Sequence, residues 1–203
     1  MLKFSIFDFD QTLYHGYSPI IFWLFYLKRK KSAIFYFPYQ IYLAILYILH
    51  IISPESFKEK ILIFIKHDKK EEIEQLVKDF WQINFKKINP EVRQALDKDK
   101  NDGLIIVCIS ASYNFILHEI KEKLEINQIL STTYDFNTQK LVGYNCKGEN
   151  KVKFFHEWVQ KEYNVIDYTV QKAYTDSKTD LPLLKLAKEK FFVKNGKLNI
   201  FLD

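Results

Sequence analysis

Two aspartates two residues apart close the first apolar run of the chain, FSIFDFDQTLYHG at residues 4–16. Phe4, Ile6 and Phe7 read as a short buried strand, and the carboxylates Asp8 and Asp10 stand where it runs out. A buried, unpaired charge is costly, so such a pair calls for a partner cation or a shared proton. Strand alternation puts Asp8 and Asp10 on the same side. Read alone, Asp10-Gln11-Thr12 has the lesser alternative of capping a following helix. The rest of the chain has to decide.

The elements that would position these groups follow from apolar periodicity. Residues 70–88 place Ile73, Leu76, Val77 and Phe80 on one helical face. Asn89-Pro90-Glu91 is a helix start, with Asn as cap and Pro in the first turn, and that helix should end near Gly103. LIIVCI at 104–109 is an uninterrupted apolar run of the kind buried in a parallel sheet. A helix is expected from Tyr113 to Leu124, then two short strands around a turn within 129–145. Val152, Phe155, Trp158 and Val159 stripe another helix, VQKAYT at 170–175 is a strand, and Leu181 to Lys190 reads as helical. Asn195-Gly196 marks a closing hairpin turn. Strands alternating with helices predict an α/β fold, and such sheets bind ligands beyond the carboxyl ends of their strands.

Applied to every strand end, that rule gathers a site. The first strand ends at Asp8, Asp10 and Thr12, the second at Ser110-Ala111-Ser112, and a later one at Asp176, followed by Ser177 and Asp180. Lys151 opens the helix between the last two. Crowded carboxylates repel unless a hard divalent cation neutralises them, and an all-oxygen site selects Mg²⁺. A lysine and a hydroxyl facing such an ion suit a phosphoryl group. Each residue has a bland alternative: Ser110 a cap, Lys151 a surface lysine, Asp176 a turn residue.

DFDQT, ISASY, GENKV and TDSKTDLPLL resemble, in order, the four signature segments of the haloacid dehalogenase superfamily of phosphohydrolases. The resemblance implies a Rossmann-like core with a parallel sheet and an α-helical cap inserted after the first segment. It divides the chain into a core at 1–16 and 88–203 and an insertion at 17–87. It further implies Asp8 as nucleophile, Asp10 as general acid and then base, and Lys151 holding nucleophile and phosphate. Thr12, Ser110, Ala111 and Ser112 would bind the phosphate, and Asp8, Asp10, Asp176 and Asp180 would hold Mg²⁺. An acidic residue two after the nucleophile marks the superfamily's phosphatases. The mechanism so implied needs Asp10 protonated as the leaving group departs, with a pKa above that of Asp8.

The insertion is unusual in composition. From Ser32 to Pro54 there is no Asp, Glu, Lys or Arg, and Lys28-Arg29-Lys30-Lys31 stands just before. Six Lys/Arg against two Glu across residues 18–65 place +4 of the chain's +5 net charge there. One membrane crossing would put Asp8 and Ser110 on opposite faces, and Pro38 interrupts the run, so an in-plane amphipathic insertion is preferred to a span. Aromatics beside a basic cluster suit an anionic lipid surface; an ordinary soluble lid is the alternative. The insertion resembles the phosphoserine-phosphatase-like branch, and NCKGENKV and YTDSKTDLPLL look like the bacterial phosphatidylglycerophosphatase C type. The expected substrate is therefore a phospholipid head group such as phosphatidylglycerophosphate, with a soluble small metabolite as alternative. The acidic residue that phosphoserine phosphatases carry shortly after the first segment is missing from LYHGYSPIIFWLFYL.

Composition narrows the classes. With 48% hydrophobic residues the chain can bury a core, and two cysteines make no disulfide framework. The first strand begins almost at Met1, so no signal peptide is expected, and the expected location is the cytoplasm, at the membrane's cytoplasmic face if the insertion binds lipid. Nucleic acid is disfavoured as a partner because the basic residues flank an uncharged apolar run instead of interleaving with aromatics. A catalytically inactive membrane adaptor is disfavoured by the intact Asp8, Asp10, Lys151 and Asp176.

Overall fold

A computed structural model describes residues 1–164 and 167–201. In chain order the elements are β1 (Leu2–Phe7), α1 (Ser18–Arg29), α2 (Phe37–Ile48), α3 (Pro54–Ile61), α4 (Lys70–Asn84) and α5 (Pro90–Asn101). They continue as β2 (Ile105–Tyr113), α6 (Asn114–Lys123), β3 (Gln128–Asp135), β4 (Lys140–Val142) and α7 (Glu149–Tyr163). The chain closes with β5 (Tyr168–Thr175), α8 (Leu181–Leu184), β6 (Ala187–Lys194) and β7 (Lys197–Ile200). The strands form one sheet in the order β4-β3-β2-β1-β5-β6-β7, parallel from β3 through β6 and antiparallel at both edges. This is the expected α/β architecture with a mostly parallel sheet.

Strand β1 lies at the centre, buried on both faces, which is why its sequence is almost wholly apolar. Phe4 and Ile6 face α7, where Phe4 meets Phe155, Trp158, Tyr163 and Tyr168 edge-on at 5.3–6.0 Å. Phe7 faces the other way and stacks on Tyr174 at 4.3 Å. Ser5, on that second side, donates to Asp99 of α5, which Lys172 and Tyr174 also bind. A fully buried carboxylate is tolerated there because three donors satisfy it.

The expected starts and turns are present. The Asn89 side chain accepts from the amides of Glu91 and Val92 and so caps α5. Asn195 and Gly196 have φ of 52° and 76°, the paired positive angles that a two-residue hairpin demands. The reading of Leu181–Lys190 as one helix needs correction. The helix stops after Leu184, and from Ala187 the chain is strand β6, paired in parallel with β5 from Val170↔Ala187 to Thr175↔Phe192. Ala-Lys-Glu-Lys is favourable in a helix, but the open edge of β5 offers a ladder of backbone hydrogen bonds that outweighs that preference.

The insertion breaks into separate pieces: α1, a 3₁₀ turn at Lys31–Tyr36, α2, α3, a second 3₁₀ turn at Leu62–Ile65, α4 and a third 3₁₀ turn at Phe85–Lys87. Pro38 sits in the first turn of α2, where its missing amide costs nothing. Among the described residues no helix is long and apolar enough to cross a membrane.

Candidate active site

The loop after β1 is held from three directions. The Asp8 amide donates to the Tyr174 carbonyl of β5 (2.9 Å), extending the sheet by one residue. Gln11 then adopts φ 62°, and the amides of Thr12 and Tyr14 both return to the Phe9 carbonyl, closing a tight turn. From outside, Asn89 Nδ2 donates to the Thr12 carbonyl at 3.2 Å. Gly148 precedes α7 with φ 59° and ψ −129°, a conformation essentially closed to residues with a Cβ, and so sets the direction of that helix. The outcome is a cleft of about 570 Å³ at the carboxyl ends of β1, β2 and β5.

Asp8, Asp10, Ser110, Ala111, Lys151, Asp176 and Asp180 all line this cleft. Lys151 is almost fully buried, and its Nζ lies 2.6 Å from Asp8 Oδ1 and 2.6 Å from Asp180 Oδ2. Burial opposes its charge, but the two carboxylates hold the ammonium well above the usual lysine range. Of the two lysines nearest it in sequence, Lys147 lines the cleft, whereas Lys153 lies over the Tyr144 ring. Burial pushes the Asp8 carboxyl up to about 7 against the pull of Lys151, with Asp180 and Asp176 adding to the rise.

Asp10 is placed differently. Its Oδ1 accepts from the Ser18 amide at the start of α1 (2.7 Å) and its Oδ2 from Ser112 Oγ (2.5 Å). Burial raises its pKa, and those two hydrogen bonds oppose the rise. Asp176 is also raised by burial, opposed by hydrogen bonds from Asp8 and Thr12. Asp8 and Asp176 are thus two carboxyls near enough to share a proton.

Several residues do not stand where the sequence reading put them. Thr12, expected at the phosphate, is fully buried outside the cleft lining; its hydroxyl reaches Asp8 Oδ2 (3.3 Å) and Asp176 Oδ1 (3.2 Å) and ties those carboxylates together. Ser112 is likewise buried and spends its hydroxyl on Asp10 and on Ser18 Oγ (2.8 Å). Of the four expected metal carboxylates, Asp10 has both oxygens engaged, and Asp180 Oδ2 is shared between Lys151 and Thr175. Among the described residues no group of three or more carboxylate, histidine or cysteine side chains forms a metal cage.

Lys58 belongs to the site although nothing in the sequence marks it. This α3 lysine lines the cleft, its ammonium bonded to the Ala111 carbonyl and, at 2.7 Å, to Asn145 Oδ1. Burial brings its pKa down to about 8. Thr132 Oγ1 joins the same cluster, donating to the Ala111 carbonyl at 3.0 Å. No local pattern separates Lys58 from Lys60 two residues on; only the fold does. Ser18 was legible in part, since Ser-Pro is a common helix opening.

Comparisons with known proteins bear on the family and the fold. The family model for haloacid dehalogenase-like hydrolases matches residues 6–185. No curated protein matches the chain. Among solved structures, a protein of unknown function from Bordetella pertussis Tohama I superposes with a TM-score of 0.82 at 18% identity, covering 94% of this chain and 89% of that one. A phosphoserine phosphohydrolase-like protein from Francisella tularensis subsp. tularensis SCHU S4 gives 0.58 at 20% identity over 93% and 86% of the two chains. A phosphoserine phosphatase in a form mimicking the phospho-aspartyl intermediate gives 0.59 at 18% identity over 93% and 85%. At such identities the likeness is one of fold.

Proposed function

Because this chain belongs to the haloacid dehalogenase-like hydrolases, we propose that it is a phosphomonoesterase that works through a phosphoryl group carried on Asp8. The observation that carries this reading is the bidentate clasp of Lys151 on Asp8 and Asp180 at the floor of the cleft. A carboxylate held this way can be kept ionised and aimed at phosphorus. One Asp8 oxygen forms the bond to phosphorus in line with the leaving oxygen, and Asp10 gives that oxygen its proton. Asp10, now a carboxylate, takes a proton from water as the water attacks phosphorus, releasing inorganic phosphate and restoring Asp8. Ser110 and Lys151 hold the phosphoryl oxygens. Ser18 and Ser112 keep Asp10 pointed at the leaving group and away from Asp8.

The donor set fits Mg²⁺, which takes one or two carboxylates and retains several waters. Asp8 and Asp176, linked through Thr12 and able to share a proton, would hold it; Asp10 and Asp180 are committed elsewhere. When bound, the ion would neutralise those carboxylates and draw charge from the phosphoryl oxygens.

In this reading residues 17–87 act as the cap over a core of 1–16 and 88–203. Tyr17, Tyr47, Phe57 and Lys58 supply the outer wall of the cleft, which supports that division. The phospholipid reading draws support from the cap's outer surface, where Phe35 is 83% exposed and Tyr42, Ile45, Ile48, Leu49 and Ile51 are all at least half exposed. Large exposed apolar patches mark contact surfaces, and Lys28 and Lys31 stand beside this one. Lys30 instead turns to Asp68 (2.6 Å) and Glu72 (2.9 Å), so fewer basic residues face outward than the sequence suggests.

The test is phosphate release from phosphatidylglycerophosphate and from soluble phosphomonoesters, with Mg²⁺ or with excess EDTA. Release that requires Mg²⁺ and disappears in Asp8→Asn supports the proposal; full activity in EDTA, or no release from any phosphomonoester, overturns it.

A further inference from the structure

A second concavity lies in the cap, against the catalytic cleft. It encloses about 420 Å³, within the roughly 300–1,000 Å³ of small-molecule sites. Trp23, Phe37, Ile41, Ala44 and Phe57 make it almost wholly apolar, and Trp23 stacks on Phe37 with centroids 5.8 Å apart. Phe57 and Lys58 also line the catalytic cleft, so the two spaces share a wall. Ile41, at its rim, is about half exposed, so the pocket can be entered from outside.

We propose that this pocket holds the hydrocarbon part of the substrate, which is therefore an amphiphilic phosphomonoester: phosphate in the cleft at Asp8, aliphatic chain past Phe57 into the pocket. The inference rests on the phosphatase reading and adds the substrate class to it. It also accounts for a cap whose apolar residues exceed what its own packing needs. The chain is selected by burial, without a charged contact, so affinity scales with the number of methylenes enclosed.

The experiment measures kcat/KM for alkyl phosphates of increasing length, each below its aggregation concentration. Wild type should gain about fourfold per added methylene, levelling when the pocket is full. Ala44→Trp, which fills the pocket, should flatten that slope and leave methyl phosphate turnover unchanged. Binding is followed separately through tryptophan fluorescence, with Trp23→Phe as control, so that a variant that fails to fold does not decide the matter. Decyl phosphate should shift the wild-type emission and compete with inorganic phosphate. Methyl phosphate turnover with a flat length dependence and no fluorescence shift would overturn the pocket assignment while leaving the phosphatase reading intact. Length-dependent binding with no hydrolysis of any phosphate would do the reverse.

Discussion

Replacing Lys151 by Met keeps most of the side-chain volume and removes the one charge that faces both Asp8 and Asp180. The side chain is 3% exposed and each contact is 2.6 Å, so the substitution leaves two buried carboxylates without their ammonium. Breaking a buried pair in this way costs about 3–5 kcal/mol. The pH dependence follows from Asp8, whose pKa stands at about 7 in the fold against an ordinary 3.8. A carboxyl raised by folding contributes stability that is present below 3.8 and lost as pH rises toward 7. Above about 7 the wild-type carboxyl has ionised and its contribution levels off. In the variant the carboxyl is held higher still, and stability keeps falling by about 1.4 kcal/mol per pH unit. The cost of the substitution should therefore grow from pH 7 to pH 9. Urea denaturation of both proteins in metal-free buffer reads this directly. A difference that stays constant or shrinks over that range would refute the reasoning. Turnover should fall at least about a hundredfold, the usual loss when a preorganised charge is removed.

With a leaving group that needs no proton, such as p-nitrophenolate, Asp10→Asn should accumulate phosphorylated protein because water loses its base, and rapid-quench measurement of bound phosphate checks this. Lys58, brought down to about 8 by burial, binds fewer protons folded than unfolded between pH 8 and 10.5; wild-type stability should rise by about 3 kcal/mol across that window relative to Lys58→Met, as denaturant titrations at several pH values would show. Asp176→Asn should raise the Mg²⁺ concentration needed for half-maximal activity at least about tenfold, measured by back-titration after chelation. Lys28→Glu with Lys31→Glu should weaken co-sedimentation with phosphatidylglycerol vesicles, more at low ionic strength than at high, and leave turnover of a small soluble phosphomonoester unchanged.

Asp8 and Asp10 were legible because they follow an apolar run that ends buried on both faces, and Asp176 because it closes a later strand of the same sheet; the ligand edge of such a sheet is set by topology alone. Asp8, Ser110, Lys151 and Asp176 could be gathered on one cleft without coordinates for that reason. Capping at Asn89 and the Asn195-Gly196 turn were equally open, since both rest on local backbone demands. What escaped depends on distant partners. Strand β6 carries residues that suit a helix, and only the unpaired edge of β5 decides the matter. Thr12 and Ser112 lie in the right segments, yet their hydroxyls are taken by Asp8, Asp176 and Asp10, which no spacing reveals. Lys58 and Lys30 look like their basic neighbours until tertiary contacts turn one to the Ala111 carbonyl and the other to Asp68.

The central claim is that phosphate passes through Asp8. Its most direct test is to quench the Asp10→Asn variant during turnover of ³²P-labelled p-nitrophenyl phosphate, whose leaving group needs no proton, digest it, and locate the label by peptide mass. The account predicts one phosphoryl group on the peptide containing Asp8, labile to hydroxylamine as an acyl phosphate must be, and no label when Asp8→Asn is added. Hydrolysis without a labelled Asp8 peptide, or near-normal turnover by Asp8→Asn, would contradict it.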